Sequence, residues 1–576
     1  MRQNWIFFAF IALSLFILTK SLGVHGLEFR DDEIFYFKSS QEMLSNHDLL
    51  NPTYFGENRF QKPILYYWLI IFSYKIFGVS WMAARLVAVV FGVMTVILTW
   101  DLARRLFDRQ VAFLSAGVLM TIPLFFRHAR NAVPDMPLNF FIVLAVWAGW
   151  RYLQEPKQLK FSFLFFTACA FGFMIKGFTA FIIPVMTIGI YALVGKEIKI
   201  LKQAKLPLGL LLAFLIISPW FIYMGVKHGQ GYIQYMLGNE TKYRLLGASE
   251  NSSIILNWLK FLYHHTIFYI QVIFSYFAPW SLFVFMAFPL ALIRIRNNHA
   301  SAKSLWLIII WLSATIIFFS SLYFVINHYM LAISTPFAIL VSYFLMESIH
   351  GSRIIIMTKV KGQAFILLFL LTIAFLAYSF IKFFLVETAI WLLPIFIISY
   401  IIMFIIIVNK KTSHLAPFVL VGMLLFVYAQ SDLLVRSGIV SHAVLQKFAA
   451  VIHEQKEQEL ILSVGSNDIH EKELQVYFDE KIYKAATSIP FQTFTNLVQL
   501  YEQHPRVYTL MTESDYHDFL EMKPFKNVEI IYEDHIFRKR LQLDKGFVNA
   551  VFNFDKKKIY SYFMEKLLLV RRDQRA

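Results

Sequence analysis

Three short segments place acidic and basic side chains at the edges of long apolar stretches. They read Phe29-Arg30-Asp31-Asp32-Glu33, Gln61-Lys62-Pro63 and Pro134-Asp135-Met136-Pro137. A carboxylate in or near a membrane span usually has a role in binding or catalysis. A lysine next to a proline and an aromatic segment can meet an anionic headgroup or phosphate as a point charge. Together these residue types suit the binding of a lipid phosphate that carries a polar group.

Each segment also has an ordinary structural explanation. The acids around Asp32 can cap the helix predicted over Ile34–Leu44, because negative charge favours a helix N-terminus. Lys62 can serve as an interfacial anchor beside nearby Tyr and Trp side chains. The two prolines that flank Asp135 argue against a simple helix cap. We therefore favour function at Asp135, and both explanations stay open at the other two segments.

The composition requires a lipid bilayer around the chain. Of its 576 residues, 58% are hydrophobic and 16% are charged, whereas soluble chains have about 45–50% and about 25%. This excludes a water-soluble enzyme. The net charge of +17 is explained by basic cytoplasmic loops rather than by nucleic-acid binding. The single cysteine, Cys169, excludes a disulfide framework within the chain.

Apolar runs predict about thirteen transmembrane helices, each needing about 20 residues to cross the hydrocarbon layer. They cover 5–23, 81–101, 111–126, 137–152, 161–175, 178–194, 206–224, 267–293, 304–323, 329–347, 363–384, 388–408 and 415–435. The first is interpreted as a retained span rather than a cleaved signal. With the N-terminus inside, the inside loops carry most of the basic residues, so the long loops 24–80 and 225–266 lie outside. All sizeable loops therefore share one side of the membrane.

The sequence divides into a transmembrane domain over 1–435 and a small outside domain over 436–576. Short β-like runs in the second part cover Leu460–Val464, Val507–Met511 and Val528–Tyr532. They alternate with polar helical stretches such as Phe491–His504, which predicts a small α/β domain. A basic tail with Lys556–Lys558 and Arg571–Arg572 is expected to touch lipid headgroups.

The ordered set of motifs resembles bacterial family 39 glycosyltransferases, in particular their ArnT-like branch. The matching residues are Asp32-Glu33 with Tyr36, Lys62-Pro63 with Tyr67-Trp68, Arg85-Leu86, Asp135-Met136-Pro137-Leu138, Lys176-Gly177, Glu240 with Arg244, Phe318-Phe319-Ser320, and His328-Tyr329 with Pro336. That branch transfers 4-amino-4-deoxy-L-arabinose from undecaprenyl phosphate to lipid A. The resemblance implies an all-α polytopic membrane protein of the GT-C type with a small C-terminal α/β domain in the periplasm.

The resemblance also implies a role for individual residues. Asp32 would be the main catalytic carboxylate and Asp135 a second acid, while Lys62 and Arg244 would hold the donor phosphate. Supporting roles would fall to Glu33, Tyr36, Lys176, Glu240, His328 and Tyr329. With Asp32 as general base the transfer would invert the anomeric carbon. If the acceptor is itself a phosphate, no base is needed, and the acids would orient it or pair with an amino group of the sugar.

The resemblance implies a polyprenyl-phosphate-linked sugar donor, lipid A or another glycan as acceptor, surrounding membrane lipids and no nucleic acid. No cofactor is assigned, and a divalent metal is left open; Gln61, where the family often has Glu, weakens the inference of a metal. Phe35 stands where it often has Arg, so the identity of the sugar is not assigned. Transfer to protein or another glycan is the first alternative. A transporter of a lipid-linked substrate is the second, although transporters commonly show internal repeats that this chain lacks.

Overall fold

The computed structural model describes residues 2–20, 22–23, 31–236, 254–278 and 280–350, together with short segments between 447 and 572. These residues fall into two compact units. The first contains the described residues of 2–22 and 39–350. The second contains 23, 31–38 and the described residues from 447 onwards. The expected spans 363–384, 388–408 and 415–435 lie outside the described residues.

Apolar helices make up the first unit. The helices of the described N-terminal region are Arg2–Thr19, Asp31–Ser45, Leu65–Phe77, Trp81–Leu106, Arg109–Thr121, Pro123–His128, Asp135–Gln154, Leu159–Lys176, Thr179–Val194, Ile198–Lys202, Leu206–Gln234, Ile254–Tyr276, Ser281–Arg296, Ala302–Ser320 and Ser334–His350, with a 3-10 helix over Asn327–Ile333. Within the described residues, six are long and apolar enough to cross a membrane, or seven if one bent pair counts as a single span. The prediction of a mostly helical, polytopic membrane protein is confirmed.

Two of the expected spans differ in shape from the prediction. The span expected over 111–126 stops at Thr121, because Pro123 cannot donate a backbone hydrogen bond and begins a second, short helix. The span expected over 267–293 is divided into Leu262–Tyr276 and Ser281–Arg296, whose axes differ by 119°. Apolar composition alone does not reveal such breaks.

A small hairpin lies between the helices Asp31–Ser45 and Leu65–Phe77. Strand β1 (Thr53–Tyr54) pairs antiparallel with β2 (Glu57–Asn58). Both central residues of the turn have positive φ, Phe55 at 51° and Gly56 at 75°, as in a type I′ turn. That conformation strains Phe55, and the Glu42 carboxylate compensates by accepting a hydrogen bond from the Phe55 N–H at 2.7 Å. The helix end therefore fixes the hairpin.

Helices in the first unit pack closely where glycine replaces a side chain. A Cβ atom placed on Gly172 would lie 2.7 Å from the Cβ of Ala180 and 3.1 Å from the Cβ of Phe141. Nothing lies within 4 Å of the corresponding position at Gly189. Gly172 therefore sets the distance between the helices Leu159–Lys176 and Thr179–Val194.

The second unit contains a four-stranded sheet in the order β3-β4-β6-β5. Its strands are β3 (Ile461–Val464), β4 (Val507–Thr512), β5 (Val528–Phe537) and β6 (Met564–Arg572). β3 and β4 are parallel, whereas β6 is antiparallel to both of its neighbours. Two helices described beside it cover Glu513–Glu521 and Lys556–Phe563. The small α/β domain predicted from the sequence is confirmed.

Strand β6 was not predicted. Its residues were interpreted as a basic tail, but Arg571 lies in the sheet, 3.3 Å from the Glu529 carboxylate, and donates to the Tyr508 hydroxyl at 3.0 Å. The run Leu567–Val570 is fully buried and supplies the apolar centre of the sheet. The expected helix Phe491–His504 lies largely outside the described residues.

The Gly172→Ala substitution is expected to lower the thermal unfolding temperature of the detergent-solubilised protein. Alanine is otherwise favoured over glycine in a helix interior by about 0.5–1 kcal/mol. The added methyl group would meet Ala180 at 2.7 Å, and such overpacking costs about 1–3 kcal/mol. Gly189→Ala is the matched control, because its methyl group has open space. Equal unfolding temperatures for the two variants in scanning fluorimetry would contradict the close packing.

Candidate functional site

An ion pair joins the ends of two consecutive helices. Asp135 is the first residue of the helix Asp135–Gln154, and Lys176 is the last residue of Leu159–Lys176. The Lys176 Nζ atom donates a hydrogen bond to Asp135 Oδ1 at 2.7 Å. An acid at a helix N-terminus and a cation at a helix C-terminus each complement the helix dipole. The two helix ends therefore add to the attraction between the charges.

His328 completes a cluster with the ion pair. Its Nε2 atom lies 3.4 Å from Asp135 Oδ1 and 3.3 Å from Lys176 Nζ. The side chains of Asp135, Lys176 and His328 are only 8%, 13% and 7% exposed. Because little water screens these atoms, their mutual interactions are stronger than those of an exposed ion pair.

Gly177 turns the chain immediately after Lys176. Its φ is +90°, a conformation that side chains other than glycine rarely adopt. The next helix begins at Thr179, so Lys176 is held between a helix end and a tight turn. The position of the ammonium group therefore depends on backbone geometry as well as on Asp135.

The cluster lines a cavity of about 360 Å³ in the first unit. Its polar lining residues are Gln61, Lys62, Asp135, Asn139, Lys176, Thr179, His328 and Tyr329. Apolar side chains, including Leu138, Ile142, Phe173, Ile182, Phe221, Phe318, Phe319, Leu322 and Phe324, form the remaining wall. The cavity therefore combines charged groups with an extensive apolar surface.

Lys62 enters the cavity wall from the loop before the helix Leu65–Phe77. Its Nζ atom donates a hydrogen bond to the Gln61 carbonyl oxygen at 2.9 Å, and Pro63 restricts the backbone that follows. Just upstream, the buried Arg59 donates from Nε to the Tyr67 hydroxyl at 3.0 Å. This hydrogen bond attaches the loop to the helix that follows it.

The residues before the hairpin are attached to the helix Leu206–Gln234. Trp220 Nε1 donates to the Leu50 carbonyl oxygen at 2.9 Å, and Lys227 Nζ pairs with the Asp48 carboxylate at 2.9 Å. Burial raises the pKa of Asp48, but hydrogen bonds from Lys227 and the Leu50 N–H outweigh it, so the pKa lies below its ordinary value. These contacts hold the residues before the hairpin on the helix that supplies Phe221 to the cavity.

The structure brings together part of the site expected from the sequence. Five of the expected residues line this one cavity, namely Lys62, Asp135, Lys176, His328 and Tyr329. They come from four separate parts of the chain, so their spacing in sequence does not explain their proximity. The packing of the helices brings them together.

The other expected residues lie in the second unit or outside the described residues. Asp32, Glu33 and Tyr36 lie in the second unit, where Asp32 is exposed and the other two are buried. Arg244 and Glu240 lie outside the described residues. Their roles remain predictions from the sequence.

Asn139 was not singled out from the sequence. It lies four residues after Asp135 on the same helix, is 2% exposed and lines the cavity. The sequence did contain a signal for Asn139. It is a polar residue inside an apolar span and lies on the same helix face as the candidate acid Asp135. The aromatic pair Phe318 and Phe319 was noted as a motif, and its contribution to the cavity wall became clear only in the structure.

A divalent metal does not fit the residues that line this cavity. Among the described residues, no group of three or more His, Cys, Asp or Glu side chains is arranged to hold a metal ion. Asp135 is paired with Lys176, and Gln61 supplies a neutral oxygen in place of a carboxylate.

Comparisons with known proteins agree with this architecture. Residues 61–223 match the family described as dolichyl-phosphate-mannose-protein mannosyltransferase. The chain superposes on the crystal structure of ArnT from Cupriavidus metallidurans bound to undecaprenyl phosphate with a TM-score of 0.68, 18% sequence identity, and coverage of 99% of this chain and 98% of that one. The chain resembles ArnT. The resemblance predicted from the motifs is confirmed.

Curated relatives give a consistent result over shorter stretches. The chain is 28% identical over 381 residues to the undecaprenyl phosphate-alpha-4-amino-4-deoxy-L-arabinose arabinosyl transferase of Pseudomonas aeruginosa. This aligned stretch covers 66% of each chain. The chain is 32% identical over 212 residues to an uncharacterized protein of Aquifex aeolicus, covering 37% of this chain and 42% of that one. The alignments thus span 42% and 66% of the relatives, which is less than two thirds of either.

Removal of one partner of the Asp135–Lys176 pair is expected to cost more stability than removal of both. In Lys176→Met the buried carboxylate loses its cation, and such a loss costs about 3–5 kcal/mol. In the double variant Asp135→Asn with Lys176→Met no unpaired charge remains, so the unfolding temperature should recover in part. Scanning fluorimetry of the wild type, Asp135→Asn, Lys176→Met and the double variant in detergent measures the coupling. Additive losses would show that the two charges do not stabilise each other.

Proposed function

We propose that this ArnT-like protein is an integral-membrane glycosyltransferase. It moves a sugar, most simply an aminosugar, from a polyprenyl-phosphate donor to lipid A. The observation that carries the proposal is the cavity, in which Lys62, Lys176 and Asp135 lie beside a wall of aromatic and aliphatic side chains. A polyprenyl-phosphate sugar has the same division into an apolar chain and a charged, polar end.

The apolar wall supports binding of the prenyl chain. Phe221, Phe318, Leu322 and Phe324 come from different helices or loops and face one cavity. The wall offers a prenyl chain close van der Waals contacts in place of those that it makes with lipid tails, and it excludes polar ligands of the same size. The charged side would then determine which headgroup can follow the chain into the cavity.

Lys62 is the proposed partner of the donor phosphate. When the bond between the anomeric carbon and the phosphate oxygen breaks, both bonding electrons stay on the phosphate as the leaving group. A fixed ammonium group stabilises this increase in negative charge in the transition state. Lys62 and Lys176 both line the cavity, and Lys62 is proposed for this role on the sequence resemblance. Arg244 is proposed as a second phosphate ligand from the sequence resemblance alone.

The carboxylates have different proposed tasks. Asp135 holds Lys176 and His328 in place and orients the sugar, since its charge is already balanced. Asp32 is proposed as the main catalytic carboxylate on the sequence resemblance. It acts as general base if the acceptor is a hydroxyl group, and as an orienting counter-charge if the acceptor is a phosphate. In either case the acceptor oxygen attacks opposite the departing phosphate, and the configuration is inverted.

The proposed location is the inner membrane of a bacterium, with the site on the periplasmic side. Basic residues such as Arg104, Lys157 and Lys199 concentrate in loops on the opposite side, which the positive-inside rule assigns to the cytoplasm. Transfer to protein is the second candidate acceptor reaction. The family that matches residues 61–223 is described by that activity.

Mass spectrometry of lipid A from cells with and without the gene tests the proposed reaction. We expect an added mass, equal to one sugar residue, that is lost on deletion and restored by the wild-type gene. Asp32→Asn should not restore it, because the change removes the charge at nearly constant volume. Asp31→Asn is the control, and a milder loss is expected. Lipid A that is unchanged by deletion would reject this acceptor, and normal modification by well-folded Asp32→Asn protein would reject the catalytic role.

Lys62→Ala is expected to reduce transfer by an amount equivalent to about 2–4 kcal/mol of transition-state stabilisation. Lys62→Arg keeps the charge but changes its shape, and Pro63 limits backbone adjustment, so only part of the activity should return. The exposed Lys75 of the neighbouring helix provides the control, since Lys75→Ala removes an interfacial charge outside the cavity. Transfer rates are measured with the donor lipid titrated. Full activity of Lys62→Arg, with equally mild losses in Lys62→Ala and Lys75→Ala, would indicate a simple membrane anchor.

A further inference from the structure

Asn139 is a buried amide in the proposed substrate cavity, and its side chain has no hydrogen-bond partner among the described residues. Its side chain is 2% exposed, and both the Nδ2 and Oδ1 atoms lack a partner in the described part of the chain. A buried amide normally satisfies these groups, because leaving them unpaired is costly. The cavity that Asn139 lines is where a partner can enter.

The helix Asp135–Gln154 directs Asn139 toward the same space as the ion pair. Asp135, Leu138, Asn139 and Ile142 follow the spacing i, i+3, i+4 and i+7, and all four line the cavity. Asn139 therefore lies about one helical turn further along the helix than Asp135. A ligand that contacts both Asp135 and Asn139 must therefore carry two polar groups, one beside the ion pair and a second about one helical turn away.

Two other neutral side chains in the cavity have unsatisfied atoms. Gln61 Oε1 and Thr179 Oγ1 are buried, and neither has a hydrogen-bond partner in the part of the chain that the structure describes. These groups offer acceptors and a hydroxyl donor without net charge. The cavity thus has a neutral polar lining in addition to the charged cluster.

The chemistry of an amide selects among ligand groups. Asn139 offers two N–H donors and one carbonyl acceptor, which match neighbouring hydroxyl groups, each both donor and acceptor. A phosphate is attracted instead to Lys62, and a sugar ammonium group to the acids. Unpaired donors and acceptors remain for the uncharged hydroxyl groups of the sugar ring.

We infer that Asn139 is a specificity-determining residue that hydrogen-bonds the ring hydroxyl groups of the donor sugar. This inference rests on the proposed function, since it assigns a subsite within the same cavity. A site built to hydrogen-bond a hydroxyl group discriminates strongly against a ligand that lacks it, because its own polar atoms are then left unpaired. Asn139 therefore favours binding of the sugar-linked lipid over binding of the lipid phosphate without a sugar.

Binding of two lipids to the purified full-length protein in nanodiscs tests the inference. The probes are undecaprenyl phosphate and undecaprenyl phosphate carrying 4-amino-4-deoxy-L-arabinose. Asn139→Leu replaces the amide by an apolar side chain of similar size. We expect it to weaken binding of the sugar-linked lipid about tenfold or more and to leave binding of undecaprenyl phosphate unchanged. Asn139→Ala, measured in parallel, should show the same selective loss.

The matched control is Thr187→Val, which removes a buried hydroxyl group that has no hydrogen-bond partner in the described part of the chain and does not line the cavity. It should leave the binding of both lipids unchanged. The unfolding temperature of Asn139→Leu should equal or exceed that of the wild type, because an unsatisfied buried group is lost. Such a gain in stability with a selective loss of binding identifies a binding residue.

The possible failures are distinguishable. If the wild type binds neither lipid, the proposed function is rejected and this inference with it. If the wild type binds both lipids and Asn139→Leu binds them equally well, only the sugar contact is rejected, and a water molecule then satisfies the amide. Equal weakening of both lipids with a lowered unfolding temperature would show a structural role for Asn139 and would also reject the inference.

Discussion

A charge held next to an apolar cavity in a membrane protein must be paired, and much of the first unit is arranged around one such pair. Asp135 and Lys176 meet at 2.7 Å because one helix begins where the following helix ends. The helix dipoles favour both charges at these ends. His328 reaches the pair from a distant part of the chain, so the cluster also connects the Asn327–Ile333 segment to the two helices. The polar side of the cavity depends on this connection.

Breaks in regular structure place the other groups. Pro63 separates Lys62 from the helix that follows, and Gly177, with φ at +90°, turns the chain directly after Lys176. The turn at Gly177 returns the chain to the cavity wall, where Thr179 lies. The close approach at Gly172 brings the next helix near, and with it Ile182 and Thr179 on the cavity wall. Local irregularity and tight packing thus act together.

Similarity to ArnT is stronger in fold than in residue identity. The structures superpose over 99% of this chain at 18% identity, so most positions can change while the helix arrangement stays. Apolar side chains facing lipid or one another are readily exchanged when the volume is kept. Substitutions on the polar side have a larger effect, because a buried charge or polar group that loses its partner is costly. Differences in substrate between relatives are therefore expected to arise from the few polar residues of the cavity.

The sequence by itself determined the membrane class, most of the helices and three strands. It also singled out Lys62, Asp135 and Lys176, which line the cavity. Apolar periodicity and charges at the edges of apolar runs are local signals. The sequence did not reveal the helix break at Thr121, since a single proline interrupts an otherwise apolar run. Strand β6 was missed because its flanking basic residues resembled a tail. Only the tertiary structure decided that Lys176 neutralises Asp135, that His328 joins them, and that Asn139 shares their cavity. Those relations depend on how separate helices pack, and distances across helices are not encoded in the spacing of residues along one chain.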